Sequence, residues 1–164
     1  MKKIGIINDH NFSREKIKKL SIRKKVRGLI YKNKNTLICI EEDGYGIKQI
    51  LKLPGGTVEK NESNIKAIKR EIYEETGYKI DNIKCIGFIE NIRKEYFLHI
   101  TYYVAKTKGK QKELKLTAGE LEVGTKPIKI NVETALKRIK AEYNKVQNDS
   151  SLRDIMVFNE LNKY

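Results

Sequence analysis

Strand-like runs interleaved with a central and a terminal helix predict an α+β fold, or an α/β fold built on a mixed sheet. Three observations carry that expectation. Short apolar runs recur between turn signals. Other segments switch to a helical spacing of apolar residues and begin at capping residues. A chain of 164 residues, 39% hydrophobic and 34% charged, suits one soluble, globular domain with its own core.

The elements follow in order. Residues 1–20 read as an appendage: a short apolar strand at Ile4–Ile7, then the basic segment Arg14–Lys19. Val26–Tyr31 and Leu37–Ile40 flank a turn at Asn33-Lys34-Asn35, which is a hairpin signal. Glu41–Gly46 reads as a loop, and Ile47–Leu53 as a strand ending at Pro54-Gly55-Gly56. A helix follows, capped by Ser63, with an apolar stripe of Ile65, Ile68 and Ile72 and a stop at Gly77. Ile83–Ile89, Tyr96–Ala105 and, after a polar loop, Ile128–Ile130 are strand-like. Asn131 caps a helix through about Tyr143. Ser150 or Ser151 caps a last one, whose stripe is Leu152, Ile155, Met156 and Leu161. One domain, 1–164, is therefore expected: a core over 21–145 and a C-terminal helix over 150–164.

Composition bounds the function classes. No apolar run approaches the ~20 residues that span a bilayer, and no basic amphipathic helix stands out, so a membrane role is not expected. The apolar stretch after Met1 is too short for a secretory signal. Cys39 and Cys85 have no near Cys or His partner to suggest zinc and read as reduced, mostly buried thiols of a cytoplasmic protein. The net charge of +14 attracts polyanions, but the lysines are scattered, so it supports a phosphate-bearing partner only weakly.

The chemistry sits in residues 55–78. Glu71, Glu74 and Glu75 fall within one arc of about 100° on the helix, beside the isoleucine stripe, with Ala67 on the carboxylate side. A solvated charged helix would place Lys or Arg four residues after Glu71 and Glu74. Here Glu75 and Tyr78 occupy those positions. Three carboxylates this close repel one another, and a hard divalent cation with oxygen ligands, Mg2+ above all, relieves that repulsion. Gly55 and Gly56 permit close backbone approach, so that a carbonyl there can reach a metal.

The segment from Gly56 to Tyr78 resembles the signature of the Nudix hydrolases, G-x5-E-x7-R-E-U-x-E-E-x-G-U, where U is bulky and apolar. Gly56, Glu62, Arg70, Glu71, Glu74, Glu75 and Gly77 fill every fixed position, Ile72 fits the first U, and Tyr78 departs mildly at the second. At ~10% per fixed position, chance gives such a match in about one chain in 10^5. The resemblance implies an α/β/α sandwich and a hydrolase that cleaves a phosphoanhydride bond in a nucleoside diphosphate linked to another moiety. Water attacks at phosphorus with Mg2+, or Mn2+ as a substitute.

By the same resemblance, Glu74 and Glu75 are the foremost metal ligands and Glu71 a ligand or general base. Gly55 adds its carbonyl, while Arg70, pointing away from the carboxylate arc, pairs with Glu62 or Glu59. Gly56, Glu62, Arg70 and Gly77 support the site. A further ligand is expected from the loop before Ile128–Leu136, where Glu122 and Glu120 are candidates and Glu122 is favoured. Arg27 and Tyr96 are the candidate substrate-binding residues, and His99 reads as structural. A proline marker of ADP-ribose-cleaving members is absent, since only Pro54 and Pro127 occur. The expected partner is a small nucleotide or nucleotide conjugate. An RNA-directed protein, either a 5′-end pyrophosphohydrolase or an RNA-binding module, is the alternative, and a homodimer is possible by analogy.

Overall fold

A computed structural model describes residues 1–8 and 10–161. Its elements are β1 (Lys3–Ile7), α1 (Arg14–Lys18), β2 (Ser21–Asn33), β3 (Thr36–Gly44), β4 (Ile47–Lys52), α2 (Asn64–Thr76), β5 (Lys79–Ile92), β6 (Tyr96–Lys108), α3 (Ala118–Glu122), β7 (Lys126–Asn131), α4 (Val132–Val146) and α5 (Asp149–Leu161). Among the described residues seven strands form one mixed sheet in the order β1-β5-β6-β2-β3-β4, with β7 added against β3. The pairs β1–β5 and β2–β6 are parallel, and the other pairs are antiparallel.

Alternation along the strands feeds two cores. Leu29, Leu37, Cys39, Leu51 and Tyr102 join Ala135, Ile139, Val157 and Phe158 under α4 and α5. Val26, Ile30, Ile38 and Tyr103 pack on the opposite face against Ala67, Ile68 and Ile72 of α2. Because side chains alternate faces along a strand, neighbours such as Leu29 and Ile30 serve different layers. The result is an α/β/α sandwich. Burying Ile68 and Ile72 contributes about 1.5–3 kcal/mol each before the entropy of ordering them.

Helix α2 starts at Ser63, whose side chain accepts from Lys66 N–H, and stops at Gly77, in the left-handed region at φ 70°. Its stripe differs from the expected one. Ala67 faces the core rather than the carboxylate cleft, and Ile65, in the first turn, overhangs the sheet beside Cys85 and Tyr103 and is 42% exposed. Cys85 is likewise exposed, whereas Cys39 is buried.

Elsewhere polar residues conceal regular structure. Strand β2 begins five residues before Val26, where Ile22, Arg23 and Lys24 are exposed but register with β6. The expected loop at Glu41–Gly46 is largely strand, since Arg138 and Lys126 pair with the buried Glu41 and Lys52 pairs with Glu42. The segment read as an appendage contributes β1 to the sheet edge.

Helix α5 is capped by Asn148, whose Oδ1 accepts from Ser151 N–H at 2.9 Å, and not by Ser150 or Ser151, which are buried. Its buried face is Arg153, Asp154, Val157 and Phe158, whereas the expected stripe of Leu152, Ile155, Met156 and Leu161 is only half-buried. Residues 162–164 of the expected last helix lie outside the described residues. Among the described residues no helix is long and apolar enough to cross a membrane.

Candidate active site

The chain leaves β4 through Pro54-Gly55-Gly56 and runs beside β2, where Gly28 N–H donates to Pro54 O and Val26 N–H to Gly56 O, both at 3.0 Å. This places the two glycines beneath the C-terminal half of α2. Gly55 N–H donates to Glu75 Oε2 at 2.6 Å. Gly55 sits at φ 134°, and a Cβ there would overlap the Val26 carbonyl. A Cβ at Gly56 would overlap the Glu71 carboxylate. Each glycine thus has a steric reason to be glycine.

A third segment closes the site. Lys112 N–H donates to Gly77 O at 2.8 Å and Lys115 N–H to Glu74 O at 2.9 Å, so the loop after β6 is stitched to the end of α2. The short helix α3 follows, fixed by a capping box between Thr117 and Glu120. Together these segments enclose a cleft of about 500 Å³, whose lining includes Lys25, Arg27, Glu71, Glu75, Lys115 and Glu120.

Carboxylate oxygens of Glu71, Glu75 and Glu120 lie within 4.8 Å of one another. Glu120 therefore takes the position for which Glu122 was favoured, because α3 turns Glu122 outward, where it is exposed. Glu74 lines the same cleft but pairs with Arg70 (3.1 Å) and is outside that cluster.

Arg70 is also placed differently from the expectation. It binds Glu62 through two hydrogen bonds, Nε to Oε1 at 2.9 Å and Nη2 to Oε2 at 2.8 Å, but it also reaches Glu71 at 2.9 Å and Thr57 O at 3.0 Å. One side chain thereby ties the loop, Glu62 and the carboxylate face together. Its length lets the guanidinium fold back along the helix, a reach that angular position alone does not show.

The electrostatics follow from burial. Desolvation raises the Glu75 carboxyl to about 8, against the opposing Arg27 charge and the Gly55 N–H, with Glu71 and Glu120 adding to the rise. Burial also raises Glu71, outweighing Arg70. Hydrogen bonding to Arg70 lowers Glu62. The three clustered carboxylates offer only oxygen ligands, and a buried carboxyl that resists ionisation beside two others fits a hard divalent cation.

Arg27 lines the cleft, and its guanidinium donates to Leu53 O. Tyr96 does not line it: it pairs with Ser21 at the far end of β6, with the Arg23 guanidinium 3.9 Å from its ring. His99 stacks on Phe88 at 4.6 Å between centroids. Lys25 and Lys115 were not singled out by the sequence; only the fold separates them from the other lysines. Replacing Glu120 by Gln is expected to weaken Mn2+ binding about tenfold or more, with Glu122→Gln unchanged, as read by titration calorimetry.

Comparison with known proteins agrees with this architecture. A family model described as NUDIX domain matches residues 22–146. A protein named 8-oxo-dGTP diphosphatase, from Buchnera aphidicola subsp. Acyrthosiphon pisum (strain APS), is 36% identical over 59 residues, 36% of this chain. The match covers 48% of that relative, so the chain spans about half the length of the curated protein it matches. Among solved structures, a NUDIX hydrolase from Nitrosomonas europaea superposes with a TM-score of 0.60 at 19% identity, covering 72% of this chain and 78% of its own. A MutT protein from Methanosarcina mazei Go1 covers 89% and 99%, with a TM-score of 0.55 at 18% identity. At such identities the likeness is one of fold.

Proposed function

The chain belongs to the Nudix family, and on that premise we propose that it hydrolyses a phosphoanhydride bond of a nucleotide with the help of a divalent cation. The observation that carries this reading is the cluster of Glu71, Glu75 and Glu120 in a cleft that also presents Lys25, Arg27 and Lys115. Glu71, Glu75 and Glu120 would hold Mg2+ or Mn2+, with Gly55 O a further candidate, and an ion held there would supply charge neutralisation for the phosphates and a more acidic water.

The chain's own groups do the rest. Lys25, Arg27 and Lys115 meet the negative charge of the phosphates. Arg70 holds the carboxylates in place through Glu62, Glu71 and Thr57. Glu74, outside the cluster but on the cleft, is positioned to orient water or join the metal shell. The substrate proposed is a small nucleoside diphosphate derivative, the nucleoside triphosphates included, in keeping with the name of the Buchnera relative.

A screen of nucleoside triphosphates and nucleotide conjugates with Mg2+, run beside a 5′-triphosphorylated RNA, tests the reading. The expected result is cleavage of at least one small nucleotide, abolished by EDTA and restored by Mg2+. Cleavage indifferent to EDTA, or none across the panel, contradicts it. The charge of +14 favours a second reading, an RNA 5′ end as substrate. In that case activity falls steeply between 50 and 200 mM salt, roughly as a power of salt concentration.

A further inference from the structure

Each residue from Leu53 to Gly56 is fixed by a main-chain hydrogen bond. Leu53 N–H donates to Asp154 Oδ2 at 3.1 Å, and Gly55 N–H to Glu75 Oε2 at 2.6 Å. Pro54 O accepts from Gly28 N–H and Gly56 O from Val26 N–H, both at 3.0 Å. Strand β2 thus holds the loop at Pro54 and Gly56, and α2 meets it at Gly55. The remaining hold, at Leu53, comes from α5.

Among the described residues β4 pairs with β3 alone. Leu51 and Leu53, two residues apart, direct their N–H groups to the other side, where a further strand would supply carbonyls. Two buried carboxylates take that place: Glu142 Oε2 accepts from Leu51 N–H at 3.0 Å, and Asp154 Oδ2 from Leu53 N–H. The Leu53 side chain is fully buried in the core layer that includes Val157 and Phe158 of α5. Asp154 is 1% exposed, and its Oδ1 has no hydrogen-bond partner among the described residues. A carboxylate is costly to bury, and here its bond is spent on the residue at the mouth of the loop.

Without that acceptor the buried Leu53 N–H has lost its partner, a cost that the chain relieves by moving. Pro54, with its φ fixed by the ring, carries the movement on to Gly55. We propose that Asp154 is a positioning residue for the active site: through Leu53 N–H it sets where the glycine loop lies, and so where Gly55 N–H holds Glu75. The role requires an acceptor oxygen and not a negative charge. Its effect on a cation rests on the reading of Glu75 as a metal ligand; its effect on the loop does not. Helix α5 lies beyond residues 22–146 matched by the family model.

Amide hydrogen exchange and Mn2+ titration calorimetry test this on wild type, Asp154→Leu, Asp154→Asn and Glu142→Leu. Exchange at Gly55 N–H is taken relative to that at Ile30 in the core, so that a general loss of stability cancels. In Asp154→Leu, which has no acceptor, Gly55 is expected to exchange about tenfold faster or more and Mn2+ affinity to fall about tenfold. Asp154→Asn, the conservative variant, keeps an acceptor oxygen and should restore both to within about threefold of wild type. Glu142→Leu removes the neighbouring bond at Leu51 and should leave both within the same limit. Unchanged Gly55 exchange in folded Asp154→Leu overturns the proposal. So does an Asp154→Asn as loose as Asp154→Leu, because Asp154 then acts by its charge. A Gly55 that loosens while Mn2+ affinity holds overturns the step from loop to Glu75. If wild type binds no Mn2+, the metal reading falls, and Gly55 exchange still decides the role of Asp154. If Asp154→Leu does not fold, Asp154→Asn decides: wild-type exchange at Gly55 supports the acceptor bond, and exchange about tenfold faster overturns it.

Discussion

Glu75→Gln is expected to lower turnover by roughly a hundredfold or more while the fold survives. The amide matches the carboxylate in shape and still offers an oxygen to Gly55 N–H, the 2.6 Å bond that anchors the wild-type side chain. What it loses is the negative charge that faces Glu71 and Glu120 and that the cation requires. The same substitution has a pH signature in the metal-free protein. Burial, against the opposing Arg27 charge, raises the Glu75 carboxyl from its ordinary 4.5 to about 8. For a raised carboxyl the contribution to stability is fully present below 4.5 and is lost as pH climbs through about 8. The melting temperature of metal-free wild type, relative to Glu75→Gln, should therefore fall across that window, and Mg2+ at pH 8 should restore it. Steady-state kinetics and calorimetric melts at three pH values check both halves. Near-normal turnover contradicts the assignment.

The two glycines of the loop should fail in different ways. At Gly56 the group in the way is the Glu71 carboxylate, the end of a side chain, so Gly56→Ala folds but displaces a ligand. Turnover and Mn2+ affinity are expected to drop at least tenfold, with the melting temperature changed by only a few degrees. At Gly55 the added Cβ meets the Val26 carbonyl and Arg27 Cα, both backbone, at a φ of 134°. Gly55→Ala should thus destabilise the whole protein, by about 2–5 kcal/mol from strain and overpacking together. Equal effects of the two substitutions on stability would show that Gly56 serves the fold and not the Glu71 carboxylate.

How much of this was legible in the sequence depends on whether a position is governed by local spacing or by long-range packing. Helix α2 was readable because Ser63, the isoleucine spacing and Gly77 are all local signals. The arc of Glu71 and Glu75 follows from the same helix. Glu120 was harder, since two acids two residues apart in a polar loop differ only once α3 turns one inward and the other out. Strand β2 was cut short because its first four residues are exposed and the fifth is Lys25, so pairing with β6 leaves no apolar signature there. The polar face of α5 misled for the converse reason. Arg153 and Asp154 look like a solvated pair, yet their partners, Asn91 in β5 and Leu53 just after β4, lie 62 and 101 residues away. Tyr96 had the right chemistry for stacking, but its place at the start of β6 sets it apart from the cleft lining.

Anomalous diffraction from crystals soaked in Mn2+ tests the central claim most directly. A peak bounded by the carboxylates of Glu71, Glu75 and Glu120 is the predicted result, and the same peak should vanish in Glu75→Gln. A peak elsewhere on the protein, with none between those three side chains, would contradict the account.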